Sequence, residues 1–198
     1  CRRATARSRW VDVETMVREI GDAAPFLSGV TVSGGEATVQ WEFVHELFRR
    51  LGSSAATSHL TFLVDTNGDA EPFVWDTLAP VMDGAMIDLK CLDAQIHQQM
   101  TGQPNDEVLA SIRQLHALGL LYEVRLLILA GVNNGTELVQ RTAEWLAAVD
   151  PAMRVKVIGF RQHGVRPRTP ALVEPNAHEL QAVATMLQAA AGFDICVI

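Results

Sequence analysis

Short apolar runs alternate along this chain with longer stretches whose apolar positions recur at helical spacing. The runs occupy 29–33, 60–64, 85–89, 122–129, 154–160 and 193–197, and their β-branched or large apolar residues predict strands. The amphipathic stretches 11–20, 39–51, 72–80, 106–118, 136–149 and 175–191 predict helices. Gly52, Gly119 and Gly192 follow three of these, where a residue without Cβ takes the left-handed conformation that ends a helix, and Asp150-Pro151 stops a fourth. Trp10, Trp41, Trp75 and Trp145 lie on helices or near their starts and are expected in packing. Leu47, Leu115, Leu118, Leu138 and Leu146 are expected, with Trp145, on inner helix faces.

Strands that alternate with helices imply parallel pairing, because a parallel connection must cross over and a helix is the usual crossover. Open doubly wound sheets and barrels both satisfy the pattern. In either, chemistry collects at the carboxyl ends of the strands. The unusual residues fall there. Ser33-Gly34-Gly35-Glu36 follows the first strand, Asp65-Thr66-Asn67-Gly68 the second, Asp88-Leu89-Lys90 closes the third, and Gln162-His163-Gly164 follows the fifth. Arg125 lies inside the fourth strand, where a charge is costly without a partner.

Each segment has a functional and a structural reading. Two glycines after a strand let backbone approach a ligand, and the following carboxylate can pair with an ammonium group; the same residues also make a tight turn. Asp-Thr-Asn-Gly is an ordinary turn former whose side chains bond to their own backbone. Asp88 and Lys90 share one face of the pleat, so an internal ion pair accounts for both as well as a ligand does. Arg125 is either paired with a buried acid or held for an anionic ligand. His163 stands in a loop, and His45, His59, His97, His116 and His178 have no partner spacing and are given no role.

Composition narrows the field. At 198 residues and 48% hydrophobic, the chain has enough apolar surface for one core, and a single domain over 1–198 is expected. A formal charge of -7 argues against nucleic acid as a partner. No apolar run approaches the roughly 18 residues a membrane helix needs, so no membrane partner is expected. Cys1, Cys91 and Cys196 are an odd, scattered set that suits a reducing, cytoplasmic compartment better than a disulfide framework.

In this order, SGGE, then DTNG, then DLK with the His97 region behind it and Val124-Arg125 beyond resemble the activating enzymes of glycyl-radical enzymes, within the radical-SAM superfamily. The likeness runs from about Val11 to the C-terminus. It implies a partial (β/α)6 TIM-like barrel, an α/β fold, with S-adenosylmethionine (SAM) over its top and a 4Fe–4S cluster at one edge. It places Ser33, Gly34, Gly35 and Glu36 at the methionine amino group, and Asp65, Asn67, Asp88, Leu89, Lys90 and His163 among the cofactor contacts. Lys90 and Arg125 carry over as the catalytic residues. Asp65, Thr66, Met86 and Asp88 match positions that bind a monovalent cation. The reaction implied is reductive cleavage of SAM to a 5′-deoxyadenosyl radical, which takes hydrogen from a glycine of a partner enzyme. A flavodoxin or ferredoxin-type reductant supplies the electron.

The sequence also departs from the family. Its Cys-x3-Cys-x2-Cys cluster motif is absent, which implies a chain beginning in the middle of a longer protein, with the first strand and the cluster loop upstream. Cys1 then falls where the last cysteine of a ferredoxin-like insert ends, or is the last thiolate of the cluster motif itself. Ala37 stands where proline often follows the glutamate, and Gln162 where an aromatic commonly precedes His163. The rival readings are another small radical-SAM enzyme and a non-catalytic barrel that binds SAM or peptide.

Overall fold

In a computed structural model of the protein, which describes residues 9–163 and 172–198, the six apolar runs form one parallel sheet. The strands are β1 (Gly29–Val32), β2 (Thr61–Thr66), β3 (Gly84–Leu89), β4 (Leu121–Ile128), β5 (Arg154–Gly159) and β6 (Asp194–Val197). The helices are α1 (Val13–Ala23), α2 (Trp41–Gly52), α3 (Pro72–Leu78), α4 (Ala94–Thr101), α5 (Asp106–Ala117), α6 (Thr136–Val149) and α7 (Ala177–Ala190).

The sheet order β1-β2-β3-β4-β5-β6 decides between the two architectures. Every strand is laid beside its predecessor, whereas a doubly wound sheet reverses direction at a switch point. The strands therefore form the arc of a barrel. β1 and β6 are its edges, so the arc does not close.

Polarity within the strands explains which face is covered. Val64, Ile87, Leu89, Val124, Leu126, Val155 and Val157 are buried on one face. There they meet Phe48 and Leu51 of α2, Trp75 and Leu78 of α3, Ile112 and Leu115 of α5, and Leu146 and Leu187 further on. Each such side chain withdrawn from water contributes roughly 1.5–3 kcal/mol. The alternate positions Asp65, Met86, Asp88, Glu123, Arg125 and Lys156 therefore fall on the opposite, inner face of the arc, because successive side chains point to opposite sides.

Several expectations need correction. Gly52 is the last residue of α2, and neither it nor Gly192 has a positive φ; of these three glycines Gly119 alone (φ 72) ends its helix in the left-handed form. Ser53 caps α2 in a right-handed conformation, its hydroxyl donating to Arg49 O. Trp10 is fully exposed ahead of α1, and Leu118 is 43% exposed, one residue past α5. Helix α4 was not expected, since its eight residues, little more than two turns, carry little apolar periodicity. It is set by punctuation instead: the Asp93 carboxylate accepts from Gln95 N and Ile96 N, and Gly102 (φ 84) closes it.

Candidate functional site

After β1 the backbone takes two successive positive-φ conformations, at Gly34 (φ 94) and Gly35 (φ 58). A Cβ at either position would meet no protein atom within 4 Å. Backbone conformation therefore demands the glycines, and the space above them is open to a ligand. Glu36 then caps the following turn, accepting from Thr38 N at 3.0 Å and Thr38 Oγ1 at 2.9 Å. The same carboxylate accepts from Thr66 Oγ1 at 2.6 Å and Asn67 N at 2.8 Å. It is thus a clamp between the loops after β1 and β2, and an ammonium ligand at this loop meets a carboxylate already in use.

The loop after β2 is braced from below. Gly68 has φ 77, and a Cβ there would come within 2.8 Å of Ile87 Cγ2. Its carbonyl accepts from the Ser111 hydroxyl at 2.7 Å, which itself accepts from the buried Trp75 indole at 2.7 Å. Asn67 turns its side-chain oxygen to Asp69 N, so its amide serves the turn. Beyond β3, Asn133 donates to Lys90 O at 2.8 Å and Asn105 to Cys91 O at 3.1 Å. Buried His97, given no role from sequence, sets Nδ1 3.3 Å from Cys91 O. Burial lowers its pKa below 6.5 and raises that of the Cys91 thiol.

Between these loops lies a chain of opposite charges. Ser33 Oγ donates to Asp65 Oδ2 at 3.1 Å, and Asp65 Oδ1 accepts from Arg125 Nη2. Arg125 Nε lies 3.0 Å from Asp88 Oδ1, and Lys90 Nζ donates to Asp88 Oδ2 at 2.7 Å. The Nε contact is Coulombic, because that buried N–H is off the hydrogen-bond direction and has no acceptor. The Arg125 side chain is 16% exposed. Burial lowers the guanidinium pKa, though arginine stays charged.

Strand register sets these groups in two rows. Asp65 is paired with Met86 and Met86 with Glu123; one pleat nearer the carboxyl ends, Asp88 is paired with Arg125 and Arg125 with Lys156. Glu123, 3% exposed, accepts from Lys156 Nζ at 2.9 Å. Sequence reasoning missed this pair, although Glu123-Val124-Arg125 already places two charges on one face of β4.

Ser33, Gly34, Gly35, Glu36, Asp65 and Thr66 line one cleft of about 490 Å³. Asn67, Asp88, Lys90 and Arg125 complete its polar wall, and Leu127 and Ile158 its apolar floor. That volume lies within the range of small-molecule sites. Leu89 turns away and lines a small apolar void of about 20 Å³ on the helix-covered side of the sheet. His163 is exposed and is not among the cleft's lining residues. Cys1 and Gly164 lie outside the described residues.

The same side chains are the candidate metal donors. Asp65 and Asp88 are engaged with Arg125 and Lys90, and Thr66 Oγ1 is engaged with Glu36 and Gly68 N. A monovalent cation at these side chains has to displace Arg125 or Lys90 from the aspartates. Among the described residues no group of His, Cys, Asp and Glu side chains is close enough to hold a metal ion. Cys91 is buried and Cys196 exposed, both as free thiols, so the described residues do not fit a cluster either.

A parallel arc with a polar cleft across four successive strand ends defines the class, a half-open β/α barrel that builds its ligand site from strand-end loops. The family profile of the Radical SAM superfamily matches residues 1–146, and the chain belongs to that superfamily. Pyruvate formate-lyase-activating enzyme of Staphylococcus epidermidis is 28% identical over 164 residues, 80% of this chain and 65% of the relative. The chain thus spans 65% of the length of this curated relative. A domain of pyruvate-formate lyase-activating enzyme from Bacteroides vulgatus has the same fold, with TM-score 0.69 and 23% identity over 86% of this chain and 99% of that one. Streptococcus suis SuiB bound to S-adenosylmethionine superposes with TM-score 0.76 and 13% identity, over 100% of this chain and 45% of that one. No helix among the described residues is long and apolar enough to cross a membrane.

Proposed function

We propose that this chain is the SAM-binding part of an enzyme that installs a glycyl radical in a partner enzyme. One observation carries the reading: the motifs at the ends of β1, β2 and β3, separate and weak in sequence, line a single cleft together with Arg125 of β4. The likeness to pyruvate formate-lyase-activating enzymes supports the finer assignment. SAM and a 4Fe–4S cluster, for which the described residues offer no thiolate set, would supply the radical chemistry when bound.

The chain's own residues bind and orient. Gly34 and Gly35 offer backbone polar groups to the methionine end with no side chain in the way. Asp65 and Asp88 give the cleft carboxylates suited to a cationic ligand, while Arg125 and Lys90 balance them and face its carboxylate. The orphaned Arg125 Nε–H is a donor awaiting an acceptor. Leu127 and Ile158 give apolar surface to the nucleoside end. The partner is a glycyl-radical enzyme, reduction comes from a flavodoxin or ferredoxin-type protein, and the compartment is cytoplasmic.

Isothermal titration calorimetry of the chain with SAM tests the binding step. Saturable one-to-one binding is expected, weakened about tenfold by Lys90→Ala, in line with loss of one charge-assisted hydrogen bond. Absence of binding, or unchanged affinity in Lys90→Ala, would refute the placement. Hydrogen transfer from a glycine-bearing protein, followed by electron paramagnetic resonance, separates an activating enzyme from one that acts on small molecules.

A further inference from the structure

Lys156 raises a problem that the cleft must solve. It is the register partner of Arg125 on the inner face of the arc, so two cations stand side by side on adjacent strands. Like charges in that relation are destabilising. On the far side of Arg125 in the same row is Asp88, with Asp65 one row below, and both carboxylates face the cleft. From β5 to β3 the distance is about 10 Å at roughly 4.8 Å per strand. A lysine stem with four methylenes and a freely turning ammonium spans most of that gap. Left unpaired, Lys156 competes with Arg125 for the two aspartates.

Glu123 removes the competitor. Its carboxylate sits one pleat toward the amino end of β4, beneath Arg125, and accepts from Lys156 Nζ at 2.9 Å. That draws the ammonium away from the cleft, and Lys156 does not line it although Ile158, two residues on, does. With Lys156 neutralised, the cleft keeps a balanced set of Asp65 and Asp88 against Arg125 and Lys90. We propose that Glu123 is a positioning residue: by holding Lys156 in the row below, it reserves the two aspartates for Arg125 and keeps an extra positive charge out of a site for a cationic ligand. The binding half of this inference rests on the SAM reading; the placement of Arg125 does not.

Four proteins decide it: the chain as it is, Glu123→Gln, Lys156→Met, and the two changes together. SAM affinity is measured by calorimetry, and Arg125 is followed without ligand through the exchange rate of its Nε–H in NMR spectra, assigned by loss of that signal in Arg125→Lys. Glu123→Gln is expected to weaken SAM about tenfold and to speed Arg125 Nε–H exchange about tenfold, because Lys156 is set free. Lys156→Met strands a buried carboxylate and lowers the melting temperature, yet leaves the affinity and the arginine signal within about twofold. The double variant keeps both.

A merely structural pair gives a different pattern, with Glu123→Gln and Lys156→Met losing affinity alike and in step with stability. That result overturns the proposal, as does an unchanged arginine signal in Glu123→Gln. If Glu123→Gln does not fold, the double variant decides alone, and loss of its arginine signal counts against the role. If the unaltered chain does not bind SAM, the ligand reading falls, while the arginine signal still settles the role of Glu123.

Discussion

At the scale of single residues, the cleft is an arrangement of charges that satisfy one another and of donors held ready. Arg125 joins Asp65 on β2 to Asp88 on β3, and Lys90 takes the other oxygen of Asp88. Removing the guanidinium leaves two carboxylates facing each other with one cation. Arg125→Met is therefore expected to cost about 1–3 kcal/mol, less than a fully buried pair because the aspartates are partly solvated. Urea unfolding checks it, and a loss below a few tenths of a kcal/mol would contradict the network. His97 sets a pH dependence. Burial holds its folded pKa below 6.5, so between that lowered value and 6.5 the unfolded chain binds a proton that the folded chain does not. Its contribution is fully present above 6.5 and is lost as pH falls through the folded value. Unfolding free energies near pH 7.5 and pH 5.5 are expected to differ more for the unaltered protein than for His97→Gln; equal differences would remove His97 from the account.

The residues that bear on the site were legible to different degrees. Ser33, Gly34, Gly35, Asp65, Asp88 and Lys90 could be picked out because glycine pairs and carboxylates at the ends of apolar runs break the pattern around them. The part played by Glu36 was not, since nothing in the sequence shows that Thr38, Thr66 and Asn67 converge on its two oxygens. Glu123 and Lys156 were hidden for a related reason. Charges at alternate positions of a strand ordinarily mark a solvated face, and only the curvature of the sheet turns that face into the interior of an arc.

At the scale of elements, the loops that carry the site are held by helices on the other face of the sheet. Ser111 of α5 donates to Gly68 O and accepts from Trp75 of α3, so two helices position the turn that presents Asn67. Gly68→Ala forces a Cβ against Ile87 in a left-handed conformation. A loss of about 2 kcal/mol or more is expected in thermal unfolding, from conformation and clash together. At the other end of the chain, Asn176 and Glu179 form a capping box at the start of α7. Asn176→Ala is expected to cost about 1 kcal/mol of stability while leaving ligand affinity untouched; a change in affinity would show that α7 reaches the cleft. Helix α6 was bounded correctly from sequence, whereas α4 escaped because Asp93 and Gly102 define it more than any apolar stripe does.

At the scale of the whole molecule, the direction of winding matters most. Alternating strands and helices allowed either a doubly wound sheet or a barrel, and local sequence does not record which side of a strand its successor joins. The observed order, with no reversal, aligns the carboxyl ends of β1 to β4 along one rim. Ligand binding to a site shared by four strands stabilises the whole arc. Saturation at about 100 times the dissociation constant is expected to add about 2.7 kcal/mol to unfolding, and a SAM-independent melting temperature would argue against a site of this kind.

The most direct measurement is a titration of the isotope-labelled chain with SAM, followed amide by amide. Perturbations confined to Gly34, Gly35, Asn67, Lys90 and their neighbours on the rim are predicted, with the amino ends of the strands silent. Shifts scattered over the surface, or centred on the opposite end of the sheet, would contradict a single cleft built from these strand ends.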